Sequence, residues 1–325
     1  MNAGRPMSSA RRRASRGAAL LVAMLVLTLV ATLAAGMIWQ QARAIGVESA
    51  ERTRAQAGWI LTGALDLGRV LLRIDARTPG VDHLNEVWAT QLEEASLSSM
   101  LAQDRDNTIE GAPEAFLSGR IRDAQDRYNL RNLVDAAAQK VVPAELEALQ
   151  RLCETAAVAP ETAQTLAQGL QAAWLAQKSG DDTDGGSGAA LAPQTLEQLS
   201  WLGLDAQTVQ RLRPYVVLLP EAAPLNINTA SAEVLAGVIA GLDVASAKRL
   251  VNRRPFKTLQ DAGAELKAEG ALDPKRLGVG SSHFIISGRL RMDGRVLEEH
   301  LLVRRDNRQV TPQARWRQSL QPGQD

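Results

Sequence analysis

The sequence predicts an α+β fold: a long N-terminal helix packed on a small antiparallel sheet, with a large helical domain inserted between the strands. Three observations carry this. Ala18–Trp39 runs without a charged residue and passes into an amphipathic pattern that meets no proline before Pro79. Phe116–Asp123, Ser282–Met292 and Arg295–Val303 alternate apolar and polar residues as half-buried strands do. Between the first strand and the last two, residues 143–271 carry helical periodicity and an internal repeat.

The N-terminal leader, residues 1–17, holds Arg5, Arg11, Arg12, Arg13 and Arg16 and ends at Gly17. At ~1.5 Å per residue the uncharged run that follows covers roughly 33 Å, enough to cross a bilayer core. Positive charge on its N-terminal side alone orients that end to the cytoplasm and the rest of the chain to the far side. Three readings compete for this segment. A cleaved secretory signal would end at Ala34-Ala35-Gly36, but the apolar run is long for an h-region of ~7–15 residues. A plain anchor is the second. The third is cleavage ahead of the apolar run, between Gly17 and Ala18. A basic leader, a glycine and an unbroken apolar helix resemble the type IV pilin and type II secretion pseudopilin family, which implies a prepilin leader.

Composition bounds what the remainder can do. After Gly17 the chain carries 32 basic against 36 acidic residues, a balance that argues against a large nucleic-acid surface. Aromatic residues are 3% of the chain, so the core must be built mostly from Leu, Val and Ala. Cys153 is alone and cannot form an internal disulfide.

Beyond Trp39, Ile45, Trp59, Ile60, Leu61, Leu65, Leu67, Val70, Leu71, Leu72 and Ile74 recur at helical spacing among charged residues. Residues 18–39 and 40–77 therefore read as the apolar and amphipathic parts of one helix of roughly 90 Å; a break at Gly58 or Gly63 is the alternative. Val22, fifth after the expected cut, stands where most pilin-like subunits have Glu. A carboxylate at that depth is costly unless paired, and in the family it pairs with the N-terminal amine of the neighbour ahead. A tip subunit has no neighbour ahead, so Val22 suits a tip position; an ordinary anchor predicts the same residue.

Residues 78–134 are expected to form the first sheet region. Leu84, Val87, Trp88, Leu92, Leu97 and Leu101 predict a helix over 84–104, and Phe116–Asp123 a short strand. Asp123, Gln125, Arg127, Tyr128, Asn129, Leu130, Asn132 and Leu133 follow, a pattern that resembles the K-type minor pseudopilins (general secretion pathway protein K). Arg131 departs from it, since the family usually has Asn there. The asparagines are read as structural, holding turns through their side chains.

The expected insertion covers residues 135–280. Gly203-Leu204-Asp205-x-x-Thr208-x-x-Arg211-Leu212 recurs 38 residues on as Gly241-Leu242-Asp243-x-x-Ser246-x-x-Arg249-Leu250. Glycine suits the C-terminal side of one helix and aspartate the N-cap of the next, so a duplicated helix-hairpin-helix is expected. Asn228 or Thr229, within Leu225–Ser231, is placed to cap the helix through Glu233–Leu235. This motif with Arg254-Pro255-Phe256 is similar both to competence-type DNA receptors and to the sterile-alpha-motif-like domain of K-type pseudopilins. A hairpin that binds DNA offers backbone N–H groups to a phosphate, whereas Asp205 and Asp243 place carboxylates there. A scaffold is the favoured reading; a membrane-anchored periplasmic DNA receptor is the alternative.

Ser179–Gly188 carries Asp181, Asp182 and Asp184. The stretch reads as a solvated linker, yet oxygen ligands on a glycine-rich loop also suit Ca²⁺, and the resemblance implies calcium in the helical domain. The family's acidic pattern is degraded around Trp174, with Ala173, Ala176 and Lys178 where carboxylates are expected. Residues 281–310 predict a hairpin through Asp293-Gly294, and 311–325 a loosely ordered tail.

His83, His283 and His300 are scattered, and no zinc spacing, phosphate loop or nucleophile elbow occurs; no enzymatic role is expected. The resemblance to K-type minor pseudopilins implies a tip subunit that starts pseudopilus assembly with I- and J-type minor pseudopilins and other pseudopilins. It further implies processing by a prepilin peptidase, N-methylation of Ala18, inner-membrane anchoring with the bulk of the chain periplasmic, and no nucleic-acid partner.

Overall fold

A computed structural model describes residues 10–77, 80–101, 114–135, 137–179, 191–266, 272–292 and 294–320. It divides into two compact units, Met1–Trp59 and Ile60–Asp325. The described part of the first unit is helix: α1 spans Ala10–Asp75, without proline and with its apolar stretch exposed.

The second unit contains the end of α1 and a five-stranded antiparallel sheet. In chain order its elements are β1 (Leu92–Ser96), α2 (Leu97–Leu101), β2 (Ala115–Asp123), β3 (Tyr128–Asn129), α3 (Pro143–Thr155), α4 (Glu161–Ser179), α5 (Ala206–Leu212), β4 (Val216–Val217), β5 (Leu225–Asn226), α6 (Ala232–Val238), α7 (Val244–Asn252), α8 (Leu259–Leu266), β6 (Leu277–Gly278), β7 (His283–Met292), β8 (Arg295–Asp306) and β9 (Gln309–Leu320). The sheet order is β1-β2-β7-β8-β9. Because β2 and β7 are neighbours in it, everything from β3 to β6 is an insertion between two paired strands.

α1 lies on this sheet through Leu65 and Leu72, which pack with Ile121, Phe284, Ile286, Leu301 and Val303. Two glycines permit the approach. A Cβ on Gly68 would sit 2.5 Å from Ile286 Cγ2, and one on Gly288 would sit 3.3 Å from Leu61 Cδ2. Trp88, brought over the same core by a 3₁₀ turn at Val87–Ala89, meets Phe284 edge-on with centroids 5.1 Å apart.

Three sequence expectations are corrected. The helix expected over 84–104 is not formed by its described residues, 84–101. Leu92–Ser96 is a strand that pairs Leu92 with Gly119 and Ser96 with Phe116. The apolar residues whose spacing suggests a helix do not share a face, for Trp88 is buried while Leu84 and Val87 are exposed. Of the expected loose tail 311–325, the described residues 311–320 are part of a strand. β9 pairs with β8 from Val296–Leu320 to Asp306–Gln309, and buried Glu299 receives Arg315 at 2.5 Å and Arg317 at 3.3 Å. Within residues 143–271, whose periodicity is helical, Leu196–Leu202 is a 3₁₀ helix, opened by a Thr195/Gln198 capping box.

The hairpin of β7 and β8 turns at Gly294, whose φ of +72° lies in the left-handed region that two-residue hairpin turns require. The inserted region has its own core, centred on Leu149, Leu152, Leu166, Leu170, Val234 and Leu235. That core also takes in Tyr128, Leu130, Leu133 and Val134, so the chain joins it immediately after β2.

Candidate functional site: the N-terminal helix, the hairpins and the junction

Ala18–Trp39 forms the apolar part of α1, and its side chains, including Leu21, Val22, Leu25 and Leu29, are exposed. Of the described helices, this is the one long and apolar enough to cross a membrane. Its polar atoms are satisfied locally: Thr28 Oγ1 donates to the Leu25 carbonyl at 2.9 Å, and Thr32 Oγ1 to the Leu29 carbonyl at 2.8 Å. Such bonds remove the hydroxyls' need for water and make them compatible with lipid or with a dry helix bundle. Trp39 ends the run, and the Arg43 guanidinium lies 5.4 Å from its ring centre, the pairing of an aromatic with a cation expected at a membrane interface. Gly17 and Ala18 lie within α1, and Val22 presents an apolar side chain one turn on.

The two hairpins follow the local chemistry the repeat implies. Gly203 and Gly241 have φ of +89° and +75°, and each is followed two residues later by an aspartate cap. Asp205 accepts the Thr208 N–H at 2.9 Å and hydroxyl at 2.7 Å; Asp243 accepts the Ser246 N–H at 2.7 Å and hydroxyl at 3.0 Å. These bonds, from the Thr208 hydroxyl foremost in one case and the Ser246 N–H in the other, hold both carboxyls below their ordinary value. The hairpins thus present anionic turns, which repel phosphate.

The asparagines of the first motif work over long range. Asn129 Oδ1 accepts the Leu219 N–H at 3.1 Å and its Nδ2 donates to the Glu221 carbonyl at 2.8 Å; Asn132 exchanges the same pair of bonds with Ala223. They pin the segment that β4 sends back across the sheet. Arg131, the departure from the family pattern, lies 4.0 Å over the Trp174 ring. The cap of α6 is Ser231, which accepts the Val234 N–H at 3.2 Å. Asn228, an expected cap, instead accepts the Phe256 N–H at 2.8 Å and donates to the Phe256 carbonyl at 3.0 Å. That bridge lies across the repeat, and local spacing gives no sign of it.

The remaining candidates separate. Asp181, Asp182 and Asp184 lie outside the described residues. Cys153 is fully buried in the helical core, and burial pushes its thiol up to about 11. His283 opens β7 and is buried, its ring hydrogen-bonded to Ser282 at 2.9 Å, and burial lowers its pKa. His300 bonds Ser287 at 2.8 Å and stacks on Trp316. What the residue patterns did not show is a polar junction that joins Asp75 at the end of α1, Asp82, Asp123, Asn226, Thr229, Ser281 and Arg305. Asp123, Asn226 and Thr229 fall inside motifs noted from the sequence, but their meeting point depends on the fold.

A long N-terminal helix on an antiparallel sheet, with a helical domain inserted between two neighbouring strands, defines a pilin-like subunit of the pseudopilin class. Family profiles described as type II secretion system (T2SS), protein K, match residues 126–221 and 225–280. The type II secretion system protein K of Pseudomonas aeruginosa is 31% identical over 264 residues, covering 75% of this chain and 73% of that protein. The fold is shared with a chain from the crystal structure of the GspK–GspI–GspJ complex of the enterotoxigenic Escherichia coli type 2 secretion system, at a TM-score of 0.62. The match covers 84% of this chain and 98% of that one at 19% identity. The chain belongs to the type II secretion system protein K family and is a minor pseudopilin of that system. The DNA-receptor alternative finds no support among these relatives, which are components of a secretion apparatus.

Proposed function

We propose that this minor pseudopilin occupies the tip of the pseudopilus and starts its assembly with I- and J-type minor pseudopilins, for protein export across the outer membrane. The observation that carries the reading is Val22, an apolar residue exposed on α1 where pilin-like subunits pair a glutamate with the subunit ahead. A subunit without a partner ahead is better served by valine, because an unpaired carboxylate in a greasy bundle costs several kcal/mol, about 2.5 or more. The solved relative comes from a complex of GspK with GspI and GspJ, which supports the same partners here.

In this reading a prepilin peptidase cuts between Gly17 and Ala18, and Ala18 becomes the N-methylated first residue. The apolar part of α1 first anchors the chain in the inner membrane with the leader cytoplasmic and the bulk periplasmic, and then moves into the helical core of the filament. The chain is a substrate of processing and performs no catalysis of its own. Calcium, if bound at Asp181, Asp182 and Asp184, enters no step of assembly.

The test is co-purification. The full-length chain, co-expressed with the I- and J-type subunits of its own system and extracted in detergent, is expected to elute as one ternary complex. Recovery of I and J together with this chain absent would contradict the proposal. So would Val22→Glu supporting secretion at the wild-type rate.

A further inference from the structure

The inserted region leaves the sheet after Asp123 and returns just before His283, and both connections pass through one buried polar cluster. Asp123 Oδ2 accepts the Ser281 hydroxyl at 2.6 Å, the Thr229 hydroxyl at 2.6 Å and Asn226 Nδ2 at 3.0 Å; its Oδ1 accepts the Gln125 N–H at 2.7 Å. Asp82 accepts the Ser281 N–H at 2.6 Å, and its carbonyl receives Asn226 Nδ2 at 3.1 Å. Arg305 of β8 bonds both Asp82 and Asp75, the latter at 2.6 Å, so the end of α1 is tied to the same point.

The charges do not balance. Asp75, Asp82 and Glu86 converge within 4.8 Å, Asp123 is 2% exposed, and Arg305 is the cation reaching into the group. Asp126, although paired with Arg122 and Arg127, adds to the negative field at Asp123, and Glu221 pairs with Arg304. His83 lies on the Glu86 side, its backbone N–H donating to that carboxylate at 2.9 Å. His283 is buried beside Glu221, its Nε2 3.6 Å from that carboxylate, and burial favours its neutral form. Asp75 and Glu86 are part-buried, but Asp82 and Asp123 are buried, and there negative charge is costly and binding a proton relieves it. The Ser281 and Thr229 hydroxyls can each turn from donor to acceptor, so a protonated Asp123 keeps its hydrogen bonds.

We propose that this junction is a proton-taking lock: docking the inserted region on the sheet binds a proton at the Asp123 cluster, so that the junction holds more tightly in mildly acidic than in neutral medium. Burial, against the bonds from Ser281 and Thr229, raises the Asp123 carboxyl to about 6, and burial also raises Asp82 and Asp75. A carboxyl raised in the closed state and ordinary in the open one carries its extra proton between the two values. The added stability is therefore full below the ordinary carboxylate range and lost as pH rises through about 6.

Hydrogen exchange of the full chain in detergent micelles reads this directly. The amides of Gln125, Ser281, Ser282 and His283 all donate into the cluster or to Gln125 beside it. After correction for intrinsic exchange, they are expected to be about tenfold better protected at pH 5.0 than at 7.5, the ratio set by the Asp123 shift. In Asp123→Asn, neutral at that position at both pH values, the ratio should fall to what Asp82 and Asp75 alone contribute. Ser281→Ala keeps the carboxylate, removes a donor to its charged form, and should move the midpoint above that of the wild type. Equal protection at both pH values overturns the proposal. So does greater protection at pH 7.5, the sign that titration of His283 alone would give, or an unchanged ratio in Asp123→Asn. If that variant does not fold, an unchanged midpoint in Ser281→Ala overturns it equally.

Discussion

The seat of α1 on the sheet depends on Gly68, and replacing it with alanine sets two effects of known size against each other. In an exposed helix interior the change would add about 1 kcal/mol by propensity alone. Here the new Cβ would lie 2.5 Å from Ile286 Cγ2 and 3.3 Å from its Cδ1. Ile286 is 3% exposed, and a β-branched side chain has no free rotamer with which to withdraw. Overpacking of this kind costs about 1–3 kcal/mol, and so short a contact belongs at the upper end. Net destabilisation of about 1–2 kcal/mol follows, which for a unit of this size lowers the melting temperature by roughly 2–8 °C. Ile286→Ala alone costs about 2–5 kcal/mol but removes the Cγ2 that Gly68→Ala strikes. In that background Gly68→Ala should be neutral or slightly stabilising. Thermal unfolding of the four proteins in one detergent closes the cycle. A Gly68→Ala protein as stable as wild type, or an equal loss in both backgrounds, would refute the packing argument.

Three further outcomes follow from the same geometry. Glu299→Gln should loosen β9 and cost about 1.5–3 kcal/mol, since it weakens charged bonds from Arg315 and Arg317 to a buried oxygen. Burial pulls the Glu299 carboxyl up, but the two arginines outweigh it and hold it below its ordinary value. Its contribution is thus present above the ordinary glutamate pKa and lost as pH falls through the lower folded value, and the variant's melting temperature should be flatter across that window. Asn228→Ala strips both partners from the Phe256 backbone and should cost about 1–3 kcal/mol, with hydrogen exchange at Phe256 rising more than at Ala247. Asp243→Ala should lower the urea midpoint through the lost cap of α7, and Asp243→Asn should lower it less.

What the sequence made legible was set by local chemistry. Asp205 and Asp243 cap their helices because an aspartate after a left-handed glycine has few other choices, and the alternation of β7 and β8 around Gly294 allows little but a hairpin. The misreadings share a cause, which is pairing at long range. Leu92–Ser96 reads LEEAS, with little strand character of its own, and becomes β1 because the edge of β2 offers it hydrogen bonds. β9 contains Pro312 and few apolar residues, and it is held by Glu299 of the neighbouring strand. The choice of Ser231 over Asn228 as cap was decided by Phe256, 28 residues away. The apolar helix and the hairpins of the candidate site were legible, whereas the Asp123 junction requires five chain segments, at 75–82, 123, 226–229, 281 and 305, to meet and carries no linear signature.

The account turns on where the mature chain begins. Mass spectrometry of the protein purified from membranes with its prepilin peptidase present should find N-methylated Ala18 as the first residue, and Gly17→Leu should retain the full leader and abolish secretion. A mature chain that starts near Met37, or one that still carries Arg11–Arg13, would contradict it.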